Sequence, residues 1–171
     1  MRSQRVHLVG TIIAAMIAGV ACGDGVPAGP GVNGTMLAKI PVELLWVAER
    51  SLAATRSGPD LTIVGEDYRG RKITLELRNL PENPSDPDEP RLLTLTDSTD
   101  ISVGFAQYRE SAFNLFTTAD PLGNGTVVIT YLSPTRIAGT FSFLARRPVE
   151  SGILSDLFRS VSNGEFDVRI R

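Results

Sequence analysis

Apolar residues recur at every second position over much of this chain, and that spacing constrains the fold more than any other feature. Between Arg136 and Ala145, Ile137, Gly139, Phe141 and Phe143 alternate with Ala138, Thr140, Ser142 and Leu144. Lys72–Arg78 puts Ile73, Leu75 and Leu77 on one side and charged or hydroxyl side chains on the other. Successive side chains of a strand point to opposite faces, so this period belongs to strands with one dry and one wet face. Thr35–Ile40, Leu61–Val64, Leu92–Leu95, Ile101–Tyr108, Ala112–Thr117, Thr126–Tyr131 and Phe166–Ile170 also read as strands. Turn signals separate them: Asp67–Gly70, Asp97–Asp100, Arg109–Ser111, Leu122–Gly125, Ser133–Thr135 and the pair Asn163-Gly164.

This pattern predicts an all-β, mainly antiparallel fold, either a β-sandwich or an open barrel of about nine or ten strands. One short helix is expected near 153–158. Val42–Arg56 fits both periods, strand and helix, since Pro41 could open a helix as readily as it could bend an edge strand. Gly139, inside an alternating run, marks a bulge or a close approach. Phe105, Phe113 and Phe116 are expected in the core or on a sheet face. No strand–helix alternation, P-loop or dinucleotide fingerprint is present.

The first residues follow a different rule. Arg2 and Arg5 precede an uncharged apolar run, Leu8–Ala21, and small residues lead into Cys22. The run is shorter than the roughly 20 apolar residues that span a bilayer, which favours an export signal over a permanent span. Gly19-Val20-Ala21-Cys22 is similar to a lipobox, with Gly19 where leucine is more usual. Residues 1–21 then read as a lipoprotein signal peptide and Cys22 as the lipidated residue. Residues 22–34, rich in glycine and proline, read as a flexible tether. Residues 35–171 read as a single β-rich domain. Localisation follows from this: exported and anchored to a bacterial membrane, at the outer membrane facing the periplasm or at the cell surface.

Composition excludes several chemistries. The chain has 17 basic and 19 acidic residues. Without Arg2 and Arg5 the remainder carries about −4, and no basic cluster suggests a nucleic-acid partner. The one histidine, His7, lies in the leader. Histidine-dependent triads, general-base catalysis and the usual zinc sites are therefore absent from the expected domain. With Cys22 the sole cysteine, no intramolecular disulfide can form, so the domain depends on its hydrophobic core.

Few residues remain as candidates. Trp46 reads as a core anchor, or as part of a weak binding patch with Tyr68, Tyr108 or Tyr131. Asp86, Asp88 and Glu89, in the loop Pro81–Pro90, offer hard oxygen ligands for a cation such as calcium, but the prolines stiffen that loop against wrapping an ion. No cofactor is expected. Glu66, Asp67, Glu76, Glu165 and Asp167 are the acids available to a carboxylate-only hydrolase, and most of them alternate with inward residues as solvent-facing charges do.

The chain resembles a family of small bacterial lipoproteins of unknown function with a C-terminal β-rich domain. The resemblance rests on the leader and linker, on Met36–Ile40, Trp46 and Leu61-Thr62-Ile63, and on Gly125–Thr130, Gly139–Phe143 and Asn163–Val168. It covers Met36 to Ile170. Pro41-Val42-Glu43 stands where a glycine turn is usual, and the loop at Pro81–Pro90 is unusually acidic. The resemblance implies a β-rich exported domain and supplies no catalytic residues. The expected function is a lipid-anchored, non-catalytic binding or interaction module, meeting an envelope protein or glycan. The alternatives are a lipocalin-like carrier of an apolar ligand and a carboxylate-only hydrolase.

Overall fold

The computed structural model describes residues 34–41, 43–96, 104–148 and 157–171. They form eleven strands: β1 (Gly34–Ile40), β2 (Glu43–Val47), β3 (Ser51–Ser57), β4 (Asp60–Glu66), β5 (Lys72–Leu77), β6 (Arg91–Leu95), β7 (Phe105–Ser111), β8 (Asn114–Thr117), β9 (Asn124–Ser133), β10 (Arg136–Arg146) and β11 (Phe158–Arg169). No helix occurs among the described residues. The fold is all-β, as the alternation requires.

Nine strands follow one path, β2-β1-β11-β10-β8-β7-β5-β4-β3, and β9 and β6 branch from β10 in that order. All the strand pairs are antiparallel. The long strands β10 and β11 make the curl. One edge of β10 carries β9 along Arg136–Leu144 and then meets β8 where Arg146 opposes Thr117. The far edge at β3 returns to the end of β11, where Ala54 bridges Ile170 and the Arg171 amide donates to the Ala54 carbonyl at 3.0 Å. The result is a curled sheet in the form of a half-barrel.

The dry face lies inside the curl. Leu61 and Ile63 of β4, Ile73, Leu75 and Leu77 of β5, and Ile137, Phe141 and Phe143 of β10 all point there and are buried. Phe141 stacks on Phe143 and tilts against Phe166, with ring centroids 6.2 Å apart in each pair. Trp46 is fully buried and lies against Gly65, where an added Cβ would sit 2.7 Å from the indole Cη2. The missing side chain on β4 is what makes room for the largest side chain on β2.

Several sequence expectations are corrected at element boundaries. The segment open to either period is extended, as β2 and β3. Arg109–Ser111 belongs to β7, and its turn with β8 is Ala112-Phe113, because Ser111 pairs with Asn114. Phe113 therefore leaves the core and stands at a turn apex, 89% exposed. Asn124 and Gly125 open β9, and the turn falls earlier, at Thr118–Leu122. Asn163-Gly164 is no hairpin turn: β11 runs straight through it, with register shifts against both neighbours. Of the bulge or close approach expected at Gly139, the register shift there has its extra residue, Thr130, on β9, and Gly139 itself makes the close approach, with the Val128 carbonyl oxygen where a side chain would be. Of the helix expected near 153–158, residues 153–156 lie outside the described residues, and Phe158 opens β11. Residues 1–33, with the leader, Cys22 and nearly all of the tether, also lie outside them.

Candidate functional site

The outer face of β1, β9, β10 and β11 carries a groove of about 530 Å³. Its floor is β10, from which Thr140 and Ser142 point away from the core. Thr126 and Val128 of β9 stand on one side, opposite Ser142 and Thr140 respectively. On the other side stand Glu165 of β11 and Leu37 and Lys39 of β1, with Leu45 of β2 at the rim. A second, shallower depression continues past Asn124, Leu144, Ser160 and Ser162.

Local chain geometry opens this face. Asn163 has φ of 48°, the left-handed region that asparagine tolerates better than branched residues do. The extra residue shifts the register between Leu37 and Lys39 on one side and between Phe141 and Phe143 on the other. A bulge of this kind bends its strand and increases its twist. Gly164, next in line, has the Phe141 ring where a side chain would be, 2.5 Å from an added Cβ. The ring thus fills the core side of the bulge.

Chemically the groove is a hydroxyl-lined channel with apolar flanks and one charge of each sign, Lys39 and Glu165. Glu165 is the one carboxylate in its lining, so no acid pair is assembled there. The other acids named from the sequence are held in ion pairs or stand elsewhere. Glu66 sits between Arg50, at 2.8 Å, and Lys72, at 2.9 Å. The Lys72 bond, joined by the nearby positive charges, holds its carboxyl below the usual range. Asp67 is buried on Arg71 at 2.6 Å and also accepts from the Arg69 and Arg71 amides, which fixes the β4–β5 turn. Asp167 takes two bonds from Arg136, at 2.8 and 2.6 Å, which lower its pKa. Glu76 is half-buried on β5, and burial raises its pKa.

The aromatic candidates do not converge. Trp46 and Tyr108 are buried in the core and present no surface to a ligand. Burial raises the Tyr108 phenol pKa, and its ring stacks on Phe116 at 6.3 Å. Tyr131 is half-buried beneath Arg136, whose guanidinium lies 5.0 Å above its ring. Tyr68 alone is open, on the β4–β5 turn. Asp86 and Glu89 are engaged locally: Asp86 accepts from the Asp88 amide at 3.0 Å, and Glu89 pairs with Arg91 at 2.9 Å. Among the described residues no cluster of three or more such side chains is placed to hold a metal ion.

Sequence reasoning had no access to the groove. It requires β1 and β10 to flank β11, and nothing in a local pattern says which strands become neighbours. The Asn163-Gly164 pair was the one local signal, and it also suits a hairpin turn. No curated protein and no solved structure matches the chain. Residues 40–167 match the model of the family described as Domain of unknown function (DUF6252), and the chain belongs to that family.

Proposed function

We propose that the protein is a lipid-anchored, non-catalytic binding module of the bacterial envelope, and that the groove on β1, β9, β10 and β11 is its site. The observation that carries this reading is the lining itself. A row of outward hydroxyls, Thr126, Thr140 and Ser142, runs between apolar and charged flanks. Hydroxyls both donate and accept, so they can follow the alternating groups of an extended peptide. Among the described residues the one aromatic in the lining, Phe141, is buried and offers no flat platform for a sugar, which favours a protein segment over a glycan. The leader and Cys22 supply the anchor in this reading, and several acyl chains would hold the domain where a single one would bind only marginally.

Labelled protein titrated with envelope-derived peptides and with peptidoglycan fragments tests the site by NMR. Shifts concentrated at Thr126, Thr140, Ser142 and Glu165, and lost in Ser142→Arg, are expected. Saturable binding that leaves these residues unmoved overturns the assignment of the groove. Mass spectrometry of the mature N-terminus tests the anchor, and an unmodified Cys22 would remove it.

Nothing observed favours the lipocalin-like carrier, since Trp46, Met36, Tyr108 and Phe116 occupy the interior of the curl. A carboxylate-only hydrolase needs two acids facing one cleft, and the groove provides one.

A further inference from the structure

The β4–β5 and β7–β8 turns lie side by side at one end of the half-barrel, because β5 pairs directly with β7 and Lys72 opposes Arg109. Each turn holds an aromatic side chain out in solvent. Phe113 is 89% exposed and Tyr68 is 66% exposed, and among the described residues no element covers either side chain. Exposed large aromatics on two adjacent turns are unusual for a surface that meets only water.

The charge at this end differs from that of the rest of the chain. Among the described residues Arg50, Arg69, Arg71, Lys72, Arg109 and Arg159 gather there with Glu49, Glu66, Asp67 and Glu110, an excess of two positive charges. Three of the four carboxylates are engaged in ion pairs, and the fourth, Glu49, lies on the β2–β3 connection. Asp67 is committed to Arg71 beneath the turn, Glu66 to Arg50 and Lys72, and Glu110 to Arg159. Arg69 remains outermost, its guanidinium 5.2 Å above the Tyr68 ring and its Nε donating to the Tyr68 hydroxyl at 2.8 Å. Arg109 is exposed and has no ion-pair partner among the described residues.

We propose that this end of the molecule rests on an anionic membrane surface, with Phe113 entering the headgroup layer and Tyr68, Arg69 and Arg109 at its level. A phenylalanine gains by leaving water, a tyrosine sits at the boundary with its hydroxyl wet, and arginines beside them meet lipid phosphates. Each such cation near an anionic leaflet adds attraction that salt weakens. The inference rests on the proposed anchor for its biological setting, since a tether at Cys22 would hold the domain within reach of a bilayer. The contact itself can be tested without that anchor.

Cys22 is the sole cysteine, so a chain beginning there can be coupled through its thiol to maleimide-bearing lipid whether or not a cell acylates it. Among the described residues every buried core residue lies between Met36 and Val168 and all eleven strands begin at Gly34 or later, so this chain keeps the whole sheet. Hydrogen exchange would be compared on phosphatidylcholine vesicles and on vesicles that also contain phosphatidylglycerol. Slower exchange confined to the two turns on the anionic vesicles is expected. Phe113→Ser should abolish most of it, and Arg69→Gln with Arg109→Gln should reduce it about tenfold or more. Unchanged exchange at both turns on anionic vesicles overturns the proposal, as does protection that persists in all these variants. Core strands that exchange alike in every variant show that the fold is intact. An unmodified Cys22 in cells would defeat the anchor and leave this contact standing.

Discussion

At the scale of single residues, the fold places polar atoms where their surroundings decide their worth. The Tyr108 hydroxyl is buried without a hydrogen-bond partner among the described residues. A buried unpaired hydroxyl costs free energy that its deletion recovers. Tyr108→Phe, which keeps the stack on Phe116, is therefore expected to stabilise the protein by about 1 kcal/mol in urea denaturation. Arg136 and Asp167 pose the opposite case, a bidentate pair with both side chains about half exposed. Arg136 lowers the Asp167 pKa in the folded state. The pair's contribution is thus present above the unfolded carboxylate value and is lost as pH falls through the depressed folded value. Screening limits it to roughly 0.5 kcal/mol. Urea melts should show Arg136→Gln less stable than the parent at neutral pH. The difference should vanish in acid well below the usual carboxylate range.

At the scale of elements, the bulge in β11 has the clearest consequence. Asn163 occupies a left-handed conformation that glycine adopts freely and β-branched residues resist. Asn163→Gly should leave stability within about 0.5 kcal/mol, whereas Asn163→Val should cost about 1–2 kcal/mol. Chemical denaturation of the two variants checks the contrast. The same position shows what local pattern can and cannot convey. Alternation placed β4, β5, β9 and β10 because each has one face in the core and one in water. Asn163-Gly164 was read as a turn because a turn and a bulge both call on a left-handed residue, and only the neighbours β1 and β10 distinguish them. Phe113 was misplaced for a related reason: hydropathy ranks a phenylalanine as core, while the Ser111–Asn114 pairing puts it at an apex. The groove was not legible as a site, since its walls come from β1, β9 and β11, strands that are not neighbours in sequence.

At the scale of the whole molecule, closure depends on very few bonds. The β3 edge meets the rest of the curl through Ala54 and Ile170, with the Arg171 amide on the Ala54 carbonyl and the Arg56 amide on the Arg171 carbonyl. Removing Ile170 and Arg171 deletes this seam and leaves the β4–β5–β7 core unaltered. Hydrogen exchange at Ala54–Arg56 should then rise at least about tenfold, with little change in β5 or β7. Equal acceleration throughout the sheet would show that the seam holds the entire fold.

The pairing of β1 with β11 also sets an order of events. Among the described strands β1 has its sequence neighbour β2 on one edge and the distant β11 on the other, so the hydrogen bonds of that second edge wait on residues made much later. A chain emerging from its N-terminal side has β1 and β2 in place with that partner still missing. Its sheet could not close until the final strand had followed. The placement of β11 between β1 and β10 thereby makes closure of this part of the sheet a late step, while β3, β4, β5, β7 and β8 can pair with one another without it.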